Sequence, residues 1–238
     1  KNSKNSKDIK TKINDLGDQM LNAVSSNFEY KLRKVLPVTA FPMYSDKYLT
    51  EPRNKIQGKA GLVVAPETVE QVSLVLKKAN SAKIAIVPFG GGSGLVGGQV
   101  LDSKTKSTPA PIILSLERMC NIRGLYPGEN VMVVEAGVIL ADVQSSAEKM
   151  KRLFPLSLAS KGSAQIGGLL ATNAGGINVL RYGMARDQVL GIEAVMADGQ
   201  ILNGLSRLRK DNTGYDLKNL LIGSEGSLGI ITAASLKL

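Results

Sequence analysis

The chain has 238 residues, of which 43% are hydrophobic and 21% charged, with a formal net charge of +10 and no histidine. That length buries a sizeable core in one or two domains, and the missing histidine excludes a Ser-His-Asp triad, a Cys-His pair and any histidine-bound metal within these residues. Cys120 is the one cysteine, so neither an internal disulfide nor a cysteine-cluster metal site can form, and a reducing compartment suits that usage.

Before residue 41, eight basic residues face four acidic ones, which leaves about +4 there. The excess reads as a solvated basic arm. Nucleic acid is not expected as a partner, because aromatics are 4% of the chain and no basic stripe is interleaved with stacking residues. The first residues carry no apolar stretch of signal-peptide type, and no apolar run approaches the roughly 18 residues that span a bilayer, so no integral membrane segment is expected.

Along the chain, Ile9, Ile13, Leu16, Met20 and Val24 recur at helical spacing and predict an amphipathic helix. Pro37, Pro42 and Pro52 then mark an extended connector. Leu62 to Ala65 reads as a short buried strand. Thr68 and Gln71 have the spacing of a capping box, opening a helix that carries Val69, Val72, Val75 and Leu76. Ile84 to Val87 is a second strand closed by Pro88, and the unit implies parallel strands joined by a right-handed crossover. Further strands are predicted at Ile112 to Leu116 and Val131 to Val134, and a helix over 139–150. Val189 to Ala197, Asp198-Gly199 and Gln200 to Leu202 form a hairpin signal of type I′. Tyr215-Asp216 opens a helix with Leu217, Leu220 and Leu221 as core, and Gly229 to Leu238 is a last strand. Parallel units followed by antiparallel ones predict an α+β fold in two lobes.

Residues 88–98 read Pro-Phe-Gly-Gly-Gly-Ser-Gly-Leu-Val-Gly-Gly directly after a strand. So many glycines cost backbone entropy, and what they permit is close approach of main-chain N–H groups to an anion. The stretch Gly92 to Gly97 also matches G-x-G-x-x-G, with Glu117 in place of a ribose-binding acid. A Rossmann turn must open a helix at its third glycine. Here the chain runs instead through Asp102-Ser-Lys-Thr-Lys-Ser-Thr-Pro109 and Pro111, which breaks a helix. A P-loop fails because no Gly-Lys-Ser/Thr follows. Two more glycine-rich stretches lie at 158–176 and 223–231, and three loops so far apart in sequence make sense if they converge on one long, phosphate-bearing ligand.

These three loops resemble the FAD-binding domain of the vanillyl-alcohol-oxidase superfamily, the PCMH-type fold, over roughly 55–238. Within it the chain is similar to the D-2-hydroxyacid branch, which holds D-2-hydroxyglutarate dehydrogenase, D-lactate dehydrogenase and the flavin subunit of glycolate oxidase. Gly162-Ser-Ala-Gln-Ile-Gly-Gly168, Asn173-Ala-Gly-Gly176, Leu180-Arg-Tyr-Gly183, the run from Leu208 to Leu217 and Ile222-Gly-Ser-Glu-Gly-Ser-Leu-Gly-Ile-Ile-Thr232 carry the likeness. It implies an N-terminal helical arm and connector at 1–54, then a PCMH-type domain at 55–238. Its smaller, parallel-strand lobe would be about 55–118, and its larger, mainly antiparallel lobe about 119–238. A C-terminal substrate domain would be absent from these residues.

The resemblance implies that Pro88, Phe89, Gly90, Gly91, Gly92, Ser93 and Gly94 wrap the pyrophosphate of a non-covalently held FAD, with Leu95 a further cofactor-binding residue. Leu158, Ser160, Gly162, Ser163 and Ala164 would run past the ribityl chain and ring with Thr172, Asn173, Ala174 and Gly175. Ile166, Gly167 and Gly168 complete that stretch, and Glu225, Gly226, Gly229, Ile230 and Ile231 would supply contacts on the adenine or ring side. The implied reaction is hydride transfer from C2 of a D-2-hydroxy acid to flavin N5, giving a 2-oxo acid, with a separate electron acceptor. The alternative is a non-catalytic flavin-binding subunit or electron relay. The implied location is the cytoplasm, or the mitochondrial matrix in a eukaryote. Leu169 stands where relatives often have Asn, and Gln165 where some have His. Arg181, Tyr182 and Lys210 invite roles at a carboxylate but read equally as loop-fixing groups, with Lys210 beside Asp211 as a local ion pair. No catalytic residue and no metal ligand is assigned within the chain.

Overall fold

The computed structural model describes residues 26–43, 45–102 and 109–238. The stripe from Ile9 to Val24 lies outside the described residues. A helix that the sequence reading did not anticipate, α1 (Ser26–Arg33), buries Phe28 and Leu32 in the first core.

Three short strands, β1 (Leu62–Val64), β2 (Ile86–Phe89) and β3 (Ile112–Ser115), form a parallel sheet in the order β1-β3-β2. The expected parallel pair is therefore split, because β3 inserts between its two strands. β2 also starts two residues later than the periodicity suggested and runs through Pro88. An edge strand tolerates proline, since one side of it needs no ladder donor. Between β1 and β2 lies α2 (Val69–Ser81), whose Thr68 cap accepts a hydrogen bond from the Gln71 nitrogen at 3.3 Å. Gln71 Oε1 in turn accepts from the Glu67 nitrogen at 2.9 Å, one residue before the cap, so the reciprocal box is displaced by one position.

The second sheet is antiparallel throughout, in the order β4-β5-β8-β6-β7. Its strands are β4 (Ile122–Tyr126), β5 (Val131–Glu135), β6 (Val189–Met196), β7 (Ile201–Gly204) and β8 (Gly229–Lys237). β8 is buried over nearly its whole length and pairs with both β5 and β6. The hairpin between β6 and β7 is not type I′. Gly199 alone has positive φ, +87°, and its nitrogen bonds the Met196 carbonyl at 2.9 Å. That is a three-residue loop with glycine in the left-handed position, which the Asp-Gly pair serves equally well.

Four helices follow β5 in sequence: α3 (Leu140–Lys149), α4 (Ile166–Ala171), α5 (Val179–Tyr182) and α6 (Leu217–Leu221). Leu140, Val143, Ile166 and Leu170 pack with Met132, Ile192 and Leu236 in one core. In α6 only Leu221 is buried, and Leu217 and Leu220 are exposed, because one turn of helix turns a single side toward the core. Asp216 caps it, accepting from the Asn219 nitrogen at 3.2 Å. The two sheets share a second core, in which Val195 and Ile230 of the antiparallel sheet meet Val72, Val75, Ile112 and Leu114. Ser73 Oγ fastens α2 to the hairpin tip by donating to the Gly199 carbonyl at 2.5 Å. No helix among the described residues is long and apolar enough to cross a membrane.

A charged row crosses the antiparallel sheet. Arg123 is the extra residue of a bulge in β4, a device that re-aims a side chain. Its Nε donates to Glu135 Oε1 and its Nη1 to Glu193 Oε2, each at 3.1 Å. Asn121 and Thr232 satisfy the remaining carboxylate oxygens. Burial opposes the Arg123 charge, but the bonds to Glu193 and then Glu135 outweigh it and hold its pKa above the ordinary value.

Under the other lobe, Tyr48 is fully buried and donates its hydroxyl to Glu117 Oε1 at 2.5 Å, while Lys47 Nζ lies 2.8 Å from Glu117 Oε2. Burial first, then the bond to Glu117, raises the Tyr48 pKa, and the bond to Glu117 raises that of Lys47. Groups whose folded-state pKa is raised stabilise the protein below their unfolded pKa and lose that contribution as pH climbs past the folded value. Stability should therefore decline above about pH 10. Tyr48→Phe should make the decline shallower in urea-unfolding curves taken across alkaline pH, and an equally steep decline would refute the assignment.

Candidate cofactor-binding cleft

The three glycine-rich loops meet. The first leaves the end of β2, where the Leu116 nitrogen bonds the Phe89 carbonyl at 3.1 Å and ties the loop root to the segment after β3. The second enters α4 and is pinned from below, since the Gly167 nitrogen bonds the Ala136 carbonyl at 2.7 Å. The third precedes β8, and the Glu225 nitrogen bonds the Ala171 carbonyl at 2.9 Å. Close backbone approach holds them together. A Cβ on Gly91 would run into the Ser163 carbonyl oxygen and lie 2.9 Å from its carbon, and a Cβ on Gly226 would run into the Pro88 ring.

Between the loops lies an open cleft, about 960 Å³ when the solvent space at its mouth is included. Pro88 through Gly94 line it, as do Ala164, Gly167, Gly168 and Thr172 from the second loop and Glu225, Gly226, Gly229, Ile230 and Ile231 from the third. Other expected residues lie outside its wall. Leu95 is half exposed, and its carbonyl accepts from Arg53. Leu158, Ser160, Gly162 and Ser163 form the turn behind the first loop, where Ser163 backs Gly91. Ile166 faces the core. Asn173 accepts from the Arg186 nitrogen at 3.0 Å, with Ala174 and Gly175 following it away from the cleft.

The wall also includes residues that the sequence reading did not select, among them Gln165, Leu169, Ala171, Leu116, Ala136 and Gln99. Five of these sit beside expected site residues or at a strand end, but nothing in the spacing shows which way each one turns. Gln99 has a visible function, donating from Nε2 to the Gly94 carbonyl at 2.8 Å and folding the first loop back on itself. Arg181 stacks on Tyr182, and neither lines the cleft. Lys210 and Asp211 do not pair with each other, and Asp211 Oδ1 accepts from the Thr213 nitrogen at 3.1 Å.

Three observations describe what the cleft accepts. Glu225 is its one charged lining residue among the described residues, so within this wall an anionic group meets main-chain N–H and neutral side-chain donors rather than Lys or Arg. A Cβ on Gly168 would meet nothing within 4 Å, so the space above the first turn of α4 is free for a ligand. Gln165 Oε1 is buried without a partner. An elongated molecule with a phosphate segment and hydrogen-bond donors on either side fits this wall.

The FAD binding domain profile matches residues 60–204. The chain belongs to the FAD-binding domain family. This FAD domain is 44% identical over 194 residues to a putative mitochondrial D-lactate dehydrogenase of Schizosaccharomyces pombe, covering 82% of the chain and 36% of that protein. It is 45% identical over 183 residues to the mitochondrial D-2-hydroxyglutarate dehydrogenase of Bos taurus, covering 76% of the chain and 32% of the relative. The FAD domain thus spans about a third of the length of the curated relatives it matches. Among solved structures, an alkyldihydroxyacetonephosphate synthase superposes with a TM-score of 0.76 at 21% identity, over 92% of this chain and 42% of that one. At that identity the likeness speaks for the fold, a two-sheet PCMH-type architecture.

Proposed function

We propose that this FAD domain serves a flavoprotein dehydrogenase that oxidises a D-2-hydroxy acid to the 2-oxo acid. The observation that carries the proposal is the convergence of the three glycine-rich loops on one cleft, in a sequence 45% identical to a D-2-hydroxyglutarate dehydrogenase. When bound, FAD accepts the hydride from the substrate carbon. The chain's own contribution is to bind and orient. Main-chain groups of 90–94 would hold the pyrophosphate, with Gly167, Gly168 and Thr172 and then Glu225 to Ile231 supplying the remaining contacts to FAD. The flavin is held without a covalent bond, since the chain has no histidine and Cys120 lies off the cleft wall. The boundaries 55–118 and 119–238 describe the two lobes, and the cytoplasm or the mitochondrial matrix is the proposed location.

Among the described residues Glu225 is the only ionisable side chain lining the cleft, and the base that takes the substrate's hydroxyl proton is proposed to come from outside this wall. We therefore expect the 238-residue chain to stay yellow when mixed anaerobically with D-2-hydroxyglutarate or D-lactate. The natural protein that contains this domain should bleach with the D-acid and not with its L-enantiomer. Acid precipitation should release all the flavin into the supernatant. If the natural protein fails to bleach with any 2-hydroxy acid, the non-catalytic flavin carrier becomes the better reading, and a yellow acid pellet would refute non-covalent attachment.

A further inference from the structure

Three buried side-chain polar atoms lack a hydrogen-bond partner among the described residues, and only one of them lines the cleft: Oε1 of Gln165. Gln165 is 9% exposed. Its backbone cannot retreat. It stands at the N-terminal boundary of α4 in an extended conformation, φ −98° and ψ 146°, bridged to Ile139, and its carbonyl accepts from the Leu169 nitrogen at 3.0 Å. Across from it lies Gly90, where an added Cβ would be 3.7 Å from Oε1 and 3.6 Å from the Gly168 Cα. The amide oxygen therefore sits at a seam between the first loop and the first turn of α4, flanked by two glycines that offer it no side chain.

A buried acceptor without a donor is unfavourable, and native proteins retain one where the donor comes from outside the chain. Pyrophosphate oxygens cannot serve, because they too are acceptors. The seam calls for an O–H or N–H. We infer that Gln165 is a binding residue for FAD, its Oε1 accepting a hydrogen bond from a hydroxyl or N–H of the dinucleotide, and that the empty domain carries this acceptor unsatisfied. The inference rests on the cleft's being the FAD site.

That assignment has a signature that a purely structural glutamine would not give. Removing the amide should relieve the empty protein and weaken the loaded one. In Gln165→Met and Gln165→Leu, thermal unfolding of the flavin-free chain should occur at or above the wild-type temperature. The FAD dissociation constant, read from flavin fluorescence quenching, should rise about tenfold, equivalent to about 1.4 kcal/mol. The stabilisation that FAD confers on unfolding should shrink accordingly. Repeating the titrations with FMN and with ADP places the donor, since only the half-molecule that carries it should lose affinity in the variants. A dissociation constant within twofold of wild type in both variants would overturn the inference. So would a parallel loss of stability in the flavin-free state, which would mark Gln165 as a packing residue. Failure of the wild-type chain to bind FAD at all would overturn the cleft assignment itself, an outcome visible before any variant is made.

Discussion

Gly91→Ala should abolish FAD retention while leaving most of the fold in place. The added methyl would occupy the position of the Ser163 carbonyl oxygen and lie 3.1 Å from the Gln165 nitrogen. Both neighbours are backbone, so no side-chain rotation relieves the clash. Nor can the turn that carries Ser163 yield, because the Ser163 and Ala164 nitrogens bond the Ser160 carbonyl at 2.9 and 2.8 Å. The two loops must part, and the main-chain donors of the first loop then no longer face the groups above α4. Inserting an atom into such packing costs about 1–3 kcal/mol of stability. The affinity loss should exceed that and reach 100-fold or more, equivalent to about 2.7 kcal/mol. The flavin-to-protein absorbance ratio after desalting measures it, with circular dichroism as the check on folding. Gly162→Ala is the control, since a Cβ there meets nothing within 4 Å, and it should keep its flavin. A yellow, fully loaded Gly91→Ala protein would show that the loops need not touch.

Arg123→Ala should be among the most destabilising single changes in the antiparallel sheet. It would leave Glu135 and Glu193, with side chains only 9% and 8% exposed, facing each other without the cation between them. Unpairing a buried ion costs about 3–5 kcal/mol, and we expect the lower end because the Arg123 side chain keeps 28% of its surface exposed. For a chain of this size that is about 6–12 °C in Tm. Arg123→Lys should recover only part of it, because one ammonium cannot reach two carboxylates in the bidentate manner of a guanidinium. Unfolding in urea measures both. A loss under about 1 kcal/mol for Arg123→Ala would mean that Asn121 and Thr232 alone stabilise the carboxylates.

Several elements were legible because their local chemistry admits one solution. The α2 cap at Thr68, the apolar runs Ile112 to Leu114 in β3 and Val131 to Val134 in β5, and the glycine runs at 90–98 and 223–229 each state their role in sequence. β4 did not, because Ile122-Arg-Gly-Leu-Tyr126 contains a bulge that offsets its alternation, and Leu125 points to solvent. α4 was hidden for a different reason. Gly167-Gly168 reads as loop, yet it forms a helix because Gly167 packs directly on Ala136. That misreading also explains the site: once α4 starts at Ile166, Gln165 turns into the cleft and Ile166 into the core, whereas a continuous loop gives no such distinction. Spacing located the loops, and only tertiary contact decided which residues in them face inward.

The central place of β8 has a consequence for how the protein is made. β4 and β5 can pair as a hairpin soon after synthesis, and so can β6 and β7, but the two hairpins touch only through β8, the last of the sheet's strands in sequence. Until that strand emerges from the ribosome, the inner edges of β5 and β6 stand unpaired, with Val131, Val133, Ile192 and Ala194 uncovered. Exposed apolar edges of this kind recruit other chains. The interval before β8 arrives is when a nascent chain most needs chaperone protection, and slowing translation there should lower the soluble yield more than slowing it elsewhere.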